Sequence, residues 1–439
     1  MRNPQHSLSP GKSAGVLLAG MLLCAAWSAL GQGSLADAPE PLIVIRPHML
    51  SNRYPTQPSQ PPAFSIPVEP LGYSAPGPLY LGIHNSLVSL DFLDENRLLF
   101  TFRVPGLLHR DADSDGNYVR QIRAMVLALP TGSVLSEALW TLHSHSHYLW
   151  MLNNGHFLLR DRRSLSQGDA QLEMKPLLHF PGPLEWLEMD TAQKFLVTDS
   201  FEPAATKPDV ASQPPAEATN FDDQRNMVVR ILHRDSGQVI LLSHVRTTIH
   251  IPINSEGYLE SLRGKVRDWT LNLHYFSGGS KIFGHMDSSC APTIDFVAEH
   301  EALLDGCSAN GESELVAMAD NGRHLWDAIA PRTSVWPQLV RSPDGSRMGW
   351  ESLAATHSVS ANDRLSSDDI KGQMVEIFDA ATGTVALDAP LSPIYDAGGN
   401  VAISHSGRRV AVLNAGAIQV FELPAAPSLP VIADKPAAH

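Results

Sequence analysis

Ser342-Pro343-Asp344-Gly345-Ser346-Arg347-Met348-Gly349-Trp350 has a second copy in the same chain, Ser404-His405-Ser406-Gly407-Arg408-Arg409-Val410-Ala411-Val412. Both read S-x-x-G-x-R, then apolar, any residue, apolar. A glycine in this place takes the left-handed conformation of a tight turn, and the alternation after it sends side chains to opposite faces of a sheet. Weaker relatives follow apolar runs at Asp94-Glu95-Asn96-Arg97, Asn153-Asn154-Gly155-His156, Thr191-Ala192-Gln193-Lys194, Ser255-Glu256-Gly257-Tyr258 and Ala298-Glu299-His300-Glu301. The turns step by about fifty residues, near the period of propeller blades.

A second pattern recurs at 126–134, 231–239 and 377–385: two apolar residues, three variable ones, Thr or Ser, Gly, any residue, Val. Its glycine again closes a turn between two strands. One hairpin of each kind makes a four-stranded antiparallel unit, and no stretch of helical periodicity is long enough to pack as a layer. The expected fold is all-β: a single β-propeller of seven four-stranded antiparallel blades over residues 79–424. The long steps each hold an inserted loop, at 107–121, 202–223 and 354–371. Residues 147–152, 184–188 and 401–404 are expected among the innermost strands. Exposed strand edges are templates for aggregation, so the ring must close. Either 79–83 or 63–68 is expected beside the last strand, 418–423.

These hairpins resemble the WD40-like and YVTN-like propeller repeats of bacterial exported proteins, the S-P-D-G turn at Ser342 being the most typical copy. The arrangement is also similar to secreted propellers of acidobacteria. The resemblance implies the fold and little about function, because propellers host binding proteins, lyases, oxidoreductases and protease appendages alike. The Trp-Asp ending and Gly-His start of true WD40 repeats are missing, so no partner-binding residues are carried over.

The chain has 439 residues, 43% of them hydrophobic, which is enough to bury a substantial core. A net charge of −14 argues against a nucleic-acid binder and against docking on an anionic lipid surface. The first thirty-one residues have the layout of a secretion signal: Arg2 and Lys12, an apolar run over 14–30, and small residues at Ala29 and Gly31. Cleavage after Gly31 is expected, giving a periplasmic or extracellular protein with no membrane insertion; an uncleaved anchor is the alternative. Leu22-Leu23 ahead of Cys24 is too bulky for a lipoprotein signal. Residues 32–78, crowded with proline, are read as a tether, and 425–439 as a loose tail.

Removal of the signal leaves Cys290 and Cys307 as one pair, expected to be bridged in an oxidising compartment. Such a bridge contributes on the order of 3 kcal/mol by loop-closure entropy. Two independent buried thiols are the other reading.

Three sets of residues have the spacing of a chemical site. His143, His145 and His147 alternate, which in extended chain turns the three rings to one side, a candidate zinc or copper site. Asp111-Ala112-Asp113-Ser114-Asp115-Gly116 opens like a calcium loop, with Asp111, Asp113 and Asp115 as ligands. Val119 and Ile122 stand where an EF-hand needs oxygen ligands, so only a shorter, weaker calcium site fits; an acidic hairpin tip is the plain alternative. Arg246, His250 and Tyr395 fall in inter-blade connections, where each alone is more often a structural hydrogen-bonding residue. Gly11-Lys12-Ser13-Ala14-Gly15 fits a nucleophile elbow but lies within the leader. The 15 residues of 425–439 leave no room for the α/β domain of a propeller-bearing hydrolase, so that class is not expected. Scattered tryptophans and the lack of an adjacent cysteine pair argue against a quinone-dependent dehydrogenase.

The leading expectation is a non-catalytic binding or scaffold propeller with a protein or glycan partner in the envelope or outside the cell. The alternative is an enzyme of lyase type working at the channel mouth. A deep mouth that gathers titratable groups with shifted pKa favours the enzyme, and a shallow polar face favours binding.

Overall fold

The computed structural model describes residues 48–51, 54–76, 88–105, 119–143, 146–202, 226–359 and 363–427. Seven antiparallel sheets form the blades of a ring, numbered here in chain order: 88–142, 149–179, 184–245, 257–287, 293–330, 334–391 and 401–422. No α-helix occurs among the described residues, and no helix is long and apolar enough to cross a membrane.

Six of the seven expected turns join the first strand of a blade to the second, and the seventh, at Ser255, joins the isolated bridge at Ile253 to Gly257–Arg263. In blade 6, Gly345 has φ +72°, and Ser342 Oγ accepts the Arg347 N–H at 2.9 Å. The second recurrent pattern joins the third strand to the fourth, as between Arg120–Ala128 and Val134–Leu142. Middle strands are covered on both faces by neighbouring blades. Arg347–Ala355 is buried at every position, which is why such strands read as continuous apolar runs. Outer strands such as Val239–Val245 are largely exposed.

The first strands Leu149–Met151, Leu184–Met189 and Val401–Ile403 lie at the inner edges of their sheets, as expected. Val401–Ile403 packs against Val88–Asp94 of blade 1, closing the inner ring. Blade 4 departs from the pattern. Its sheet has three strands, Gly257–Arg263, Asp268–Tyr275 and Ser280–Asp287, and its innermost position is reduced to the bridge Ile253↔Tyr258. Pro252 has no N–H to donate there.

Closure uses the earlier of the two proposed segments. Phe64–Pro67 pairs antiparallel with Ala417–Glu422, Phe64 opposite Val420, and becomes the outer strand of blade 7. Ile66 and Val420 pack with Leu98 and Phe100 of blade 1 in one core, so the seam is apolar. Within the stretch read as a tether, His48–Met49 also adds in parallel to His324–Ala330 of blade 5. Ser59 then bonds the outer strand of blade 6, where the Asp388 N–H meets its Oγ at 3.0 Å. The described part of that stretch is therefore a strap over blades 5, 6 and 7. The segments 1–31, 79–83 and most of 202–223 lie outside the described residues.

Cys290 and Cys307 are bridged, with Cα atoms 5.4 Å apart. The bond ties the connection after blade 4 to the second strand of blade 5, Glu301–Cys307. Ser288 Oγ reinforces it by accepting the Cys307 N–H at 2.9 Å and donating to the Cys290 carbonyl at 2.7 Å.

Candidate functional site

Inner strands alternate: side chains that do not pack between blades face the axis. Together with the connections into blades 4 and 7 they enclose a cavity of about 700 Å³, within the usual range for small-ligand sites. Its wall includes His147, Trp150 and Arg160 of the blade 2 region, and Glu185, Trp186 and Glu188 of blade 3. His250, Asp295, Phe296, Gln338, Arg341 and Asp396 complete it. Trp186 is 42% exposed and Trp150 half-buried.

The turns at the ends of the inner strands are bonded to one another. Glu299, in the turn of blade 5, accepts from Thr191 Oγ1 at 2.6 Å and from the Ser255 N–H at 2.8 Å. One carboxylate thus ties the turns of blades 3, 4 and 5. The Ser406 N–H donates to Glu95 at 3.0 Å, doing the same between blades 7 and 1.

The chemistry of the cavity is concentrated where blade 4 lacks its innermost strand. His250 enters there between two carboxylates from the blades on either side. Its Nδ1 lies 2.7 Å from Glu188 Oε1, and its Nε2 faces the Ile294 carbonyl and stands 3.7 Å from Asp295 Oδ1. Burial opposes a charge on this ring. The Glu188 hydrogen bond, the charges of Glu188 and Asp295 and the Ile294 carbonyl outweigh it and lift the imidazole to about 9. Desolvation in the wall raises the Asp295 carboxyl. Behind His250, fully buried Asp199 accepts the Ile249 N–H at 2.9 Å. Burial pushes Asp199 up to about 6, against that N–H and with Glu188 and Glu185 adding to the rise.

The nearby arginines answer other groups. Arg160 is buried and donates to the Leu184 and Glu185 carbonyls at 3.3 and 2.8 Å and to Ser146 Oγ, with its guanidinium 5.7 Å over Trp150. Arg341 donates to the Met189 carbonyl at 3.1 Å and to the Phe296 carbonyl. Ligand atoms of Glu188, His250 and Asp295 all lie within 4.8 Å of one another, so among the described residues these three form a group that could hold a metal.

Of the alternating histidines, His143 and His147 line different cavities. His147 lines the central cavity, edge-on to Trp150 at 4.6 Å. His143 turns to Asp161, 3.1 Å from its Nδ1, and lines a separate cavity of about 390 Å³ with Arg163, Ser164 and His179. His145 lies outside the described residues, as do Asp111, Asp113 and Asp115 of the calcium-like loop. Of the three connection residues, His250 alone reaches the cavity. Arg246 is exposed away from its wall, and Tyr395 is core, its hydroxyl against that of Tyr73. Sequence reasoning missed Glu188, Asp199 and Asp295 as site residues. Asp295, a single carboxylate between Ile294 and Phe296, carries no local mark of the side it faces.

Fold and cavity together define the class, a seven-bladed β-propeller with a ligand-sized chamber on its axis. No family model matches the chain, and no curated protein matches it. Solved structures of similar shape include an acylaminoacyl peptidase of Pyrococcus horikoshii, at 11% identity over 74% of this chain and 48% of that one, TM-score 0.44. An oligogalacturonate lyase in complex with manganese matches at 11% identity over 77% of this chain and 97% of that one, TM-score 0.40. The β-propeller domain of the Trilobed protease from Pyrococcus furiosus, of open velcro topology, matches at 10% identity over 77% and 94%, TM-score 0.40. The chain spans about half the length of the acylaminoacyl peptidases it matches.

Proposed function

We propose that this protein is an exported glycan-binding propeller whose ligand lies in the axial cavity. The observation that carries this reading is the lining. The indoles of Trp150 and Trp186 share one chamber with the carboxylates of Glu185, Glu188, Asp295 and Asp396. Indole faces stack on the C–H faces of sugar rings, and carboxylates accept hydroxyl hydrogen bonds. Four carboxylates stand against His147, His250 and two arginines that also bond main-chain carbonyls, a nearly balanced wall that suits neutral sugars. Export is supported by the Cys290–Cys307 bridge, since disulfides persist in oxidising compartments; an intact Met1 on the native protein would remove that part.

The test is binding of the purified protein to an immobilised panel of oligosaccharides, followed by calorimetry on the best ligand. Trp186→Ala should weaken that ligand at least tenfold, about 1.4 kcal/mol, with the fold unchanged because the residue is 42% exposed and outside the buried core. No ligand in the panel, or equal affinity in the variant, contradicts the reading. A catalytic second reading is favoured by one observation. His250 and Asp199 are neighbours with raised pKa values, about 9 and about 6, so the protonated ring is a candidate acid beside a carboxylate that is a candidate base. It requires release of new sugar ends from the bound glycan.

A further inference from the structure

The carboxylates around His250 outnumber the positive charges that answer them. Glu188 and Asp295 face its ring from blades 3 and 5. Asp199 is fully buried behind it, and its Oδ1 has no hydrogen-bond partner among the described residues. Arg160 and Arg341, the cations nearest the chamber, direct the donors described above at main-chain carbonyls.

The geometry points to a divalent transition-metal site at Glu188, His250 and Asp295, suited to manganese or zinc. Three properties support it. The ligand atoms already converge within 4.8 Å, so small side-chain rotations bring them to bonding distance around one ion. One imidazole with two carboxylates suits a borderline ion of this kind better than calcium or magnesium, which take all-oxygen shells. Three protein ligands leave coordination positions open to the cavity, as in sites that bind a ligand or water rather than purely structural ones. Metal uptake displaces the proton from His250. The ring is presented by a segment freed from the sheet at Pro252, and the ligands arrive from three separate blades, so the ion would bridge the ring where blade 4 lacks its inner strand.

This inference deepens the ligand-cavity reading, and the two fail separately. The experiment uses the full protein, stripped with a chelator and titrated with Mn²⁺ at neutral pH, free ion being followed by electron paramagnetic resonance. The expected result is one Mn²⁺ per chain, displaced by Zn²⁺. Glu188→Gln, which keeps shape, should weaken uptake at least tenfold, and Asp295→Asn serves the same purpose if the first variant fails to fold. Asp111→Asn with Asp113→Asn should leave uptake unchanged. Absence of stoichiometric uptake, uptake indifferent to both wall variants, or uptake abolished by the loop variant would each overturn the site. Glycan binding that survives in a protein without Mn²⁺ uptake overturns the metal and leaves the glycan reading standing. One-to-one uptake that depends on Glu188 upholds the metal even where no glycan binds.

Discussion

Glu351, on the second strand of blade 6, is 1% exposed and shows what burial does to a carboxyl in this core. Its Oε1 accepts from Gln373, whose amide also holds the Tyr395 N–H and carbonyl, both at 2.8 Å; its Oε2 has no partner among the described residues. Burial raises the group from 4.5 to about 8. The folded chain therefore holds this proton after the unfolded chain has lost it. The group's contribution is full below pH 4.5 and falls as pH rises through about 8. Glu351→Gln should stabilise the protein on the order of 2 kcal/mol at pH 9 and hardly at all at pH 4. Denaturant titrations at the two values measure this, and an equal effect at both would contradict it. Other residues were legible earlier. The Arg of S-x-x-G-x-R earns its place because Arg347 is buried, pairs with Asp379 at 2.5 Å and donates to the Pro424 carbonyl at 2.6 Å. Glu188 and Asp295 were not legible, because a lone acid on a short strand has the same local pattern whether it faces a channel or open solvent.

At the scale of elements, the strap is where the reading from composition and the structure part. Proline density predicted unpaired chain over 32–78, yet Phe64–Pro67 is a strand of blade 7. The reconciliation is positional: an outermost strand needs donors on one side only, and Pro67 ends it. Ile66 is 4% exposed and packs against the glycine of the blade 1 hairpin, Gly132, where a Cβ would approach its Cγ2 to 2.5 Å. Ile66→Ala should therefore cost about 2–4 kcal/mol, as for a position inside a blade. A loss under about 0.5 kcal/mol in equilibrium unfolding, typical of surface sites, would show that the strap does not hold the ring closed. Blade 4 is the converse case. Its turn at Ser255 was readable, but the loss of its inner strand was not, since Ile249-His250-Ile251-Pro252-Ile253 alternates as a paired strand does. Pro252 was the one residue that spoke against pairing.

For the whole molecule, the ring was readable because each blade repeats the same two local turns, and local chemistry is what a sequence displays. The cavity was not, because its wall is assembled from four blades and three connections, with His147 and Asp396 contributed from positions far apart in the chain. Seven blades leave an axial space of ligand size, and the open position in blade 4 lets His250 into it. The central claim is that this chamber, rather than the outer faces of the blades, is where the protein meets its ligand. A crystal structure with the best-binding oligosaccharide tests it most directly. The expected result is a sugar ring stacked on Trp186 with hydroxyls directed at Glu188 and Asp295. A sugar seated on an outer strand such as Val239–Val245, with the chamber empty, would contradict it.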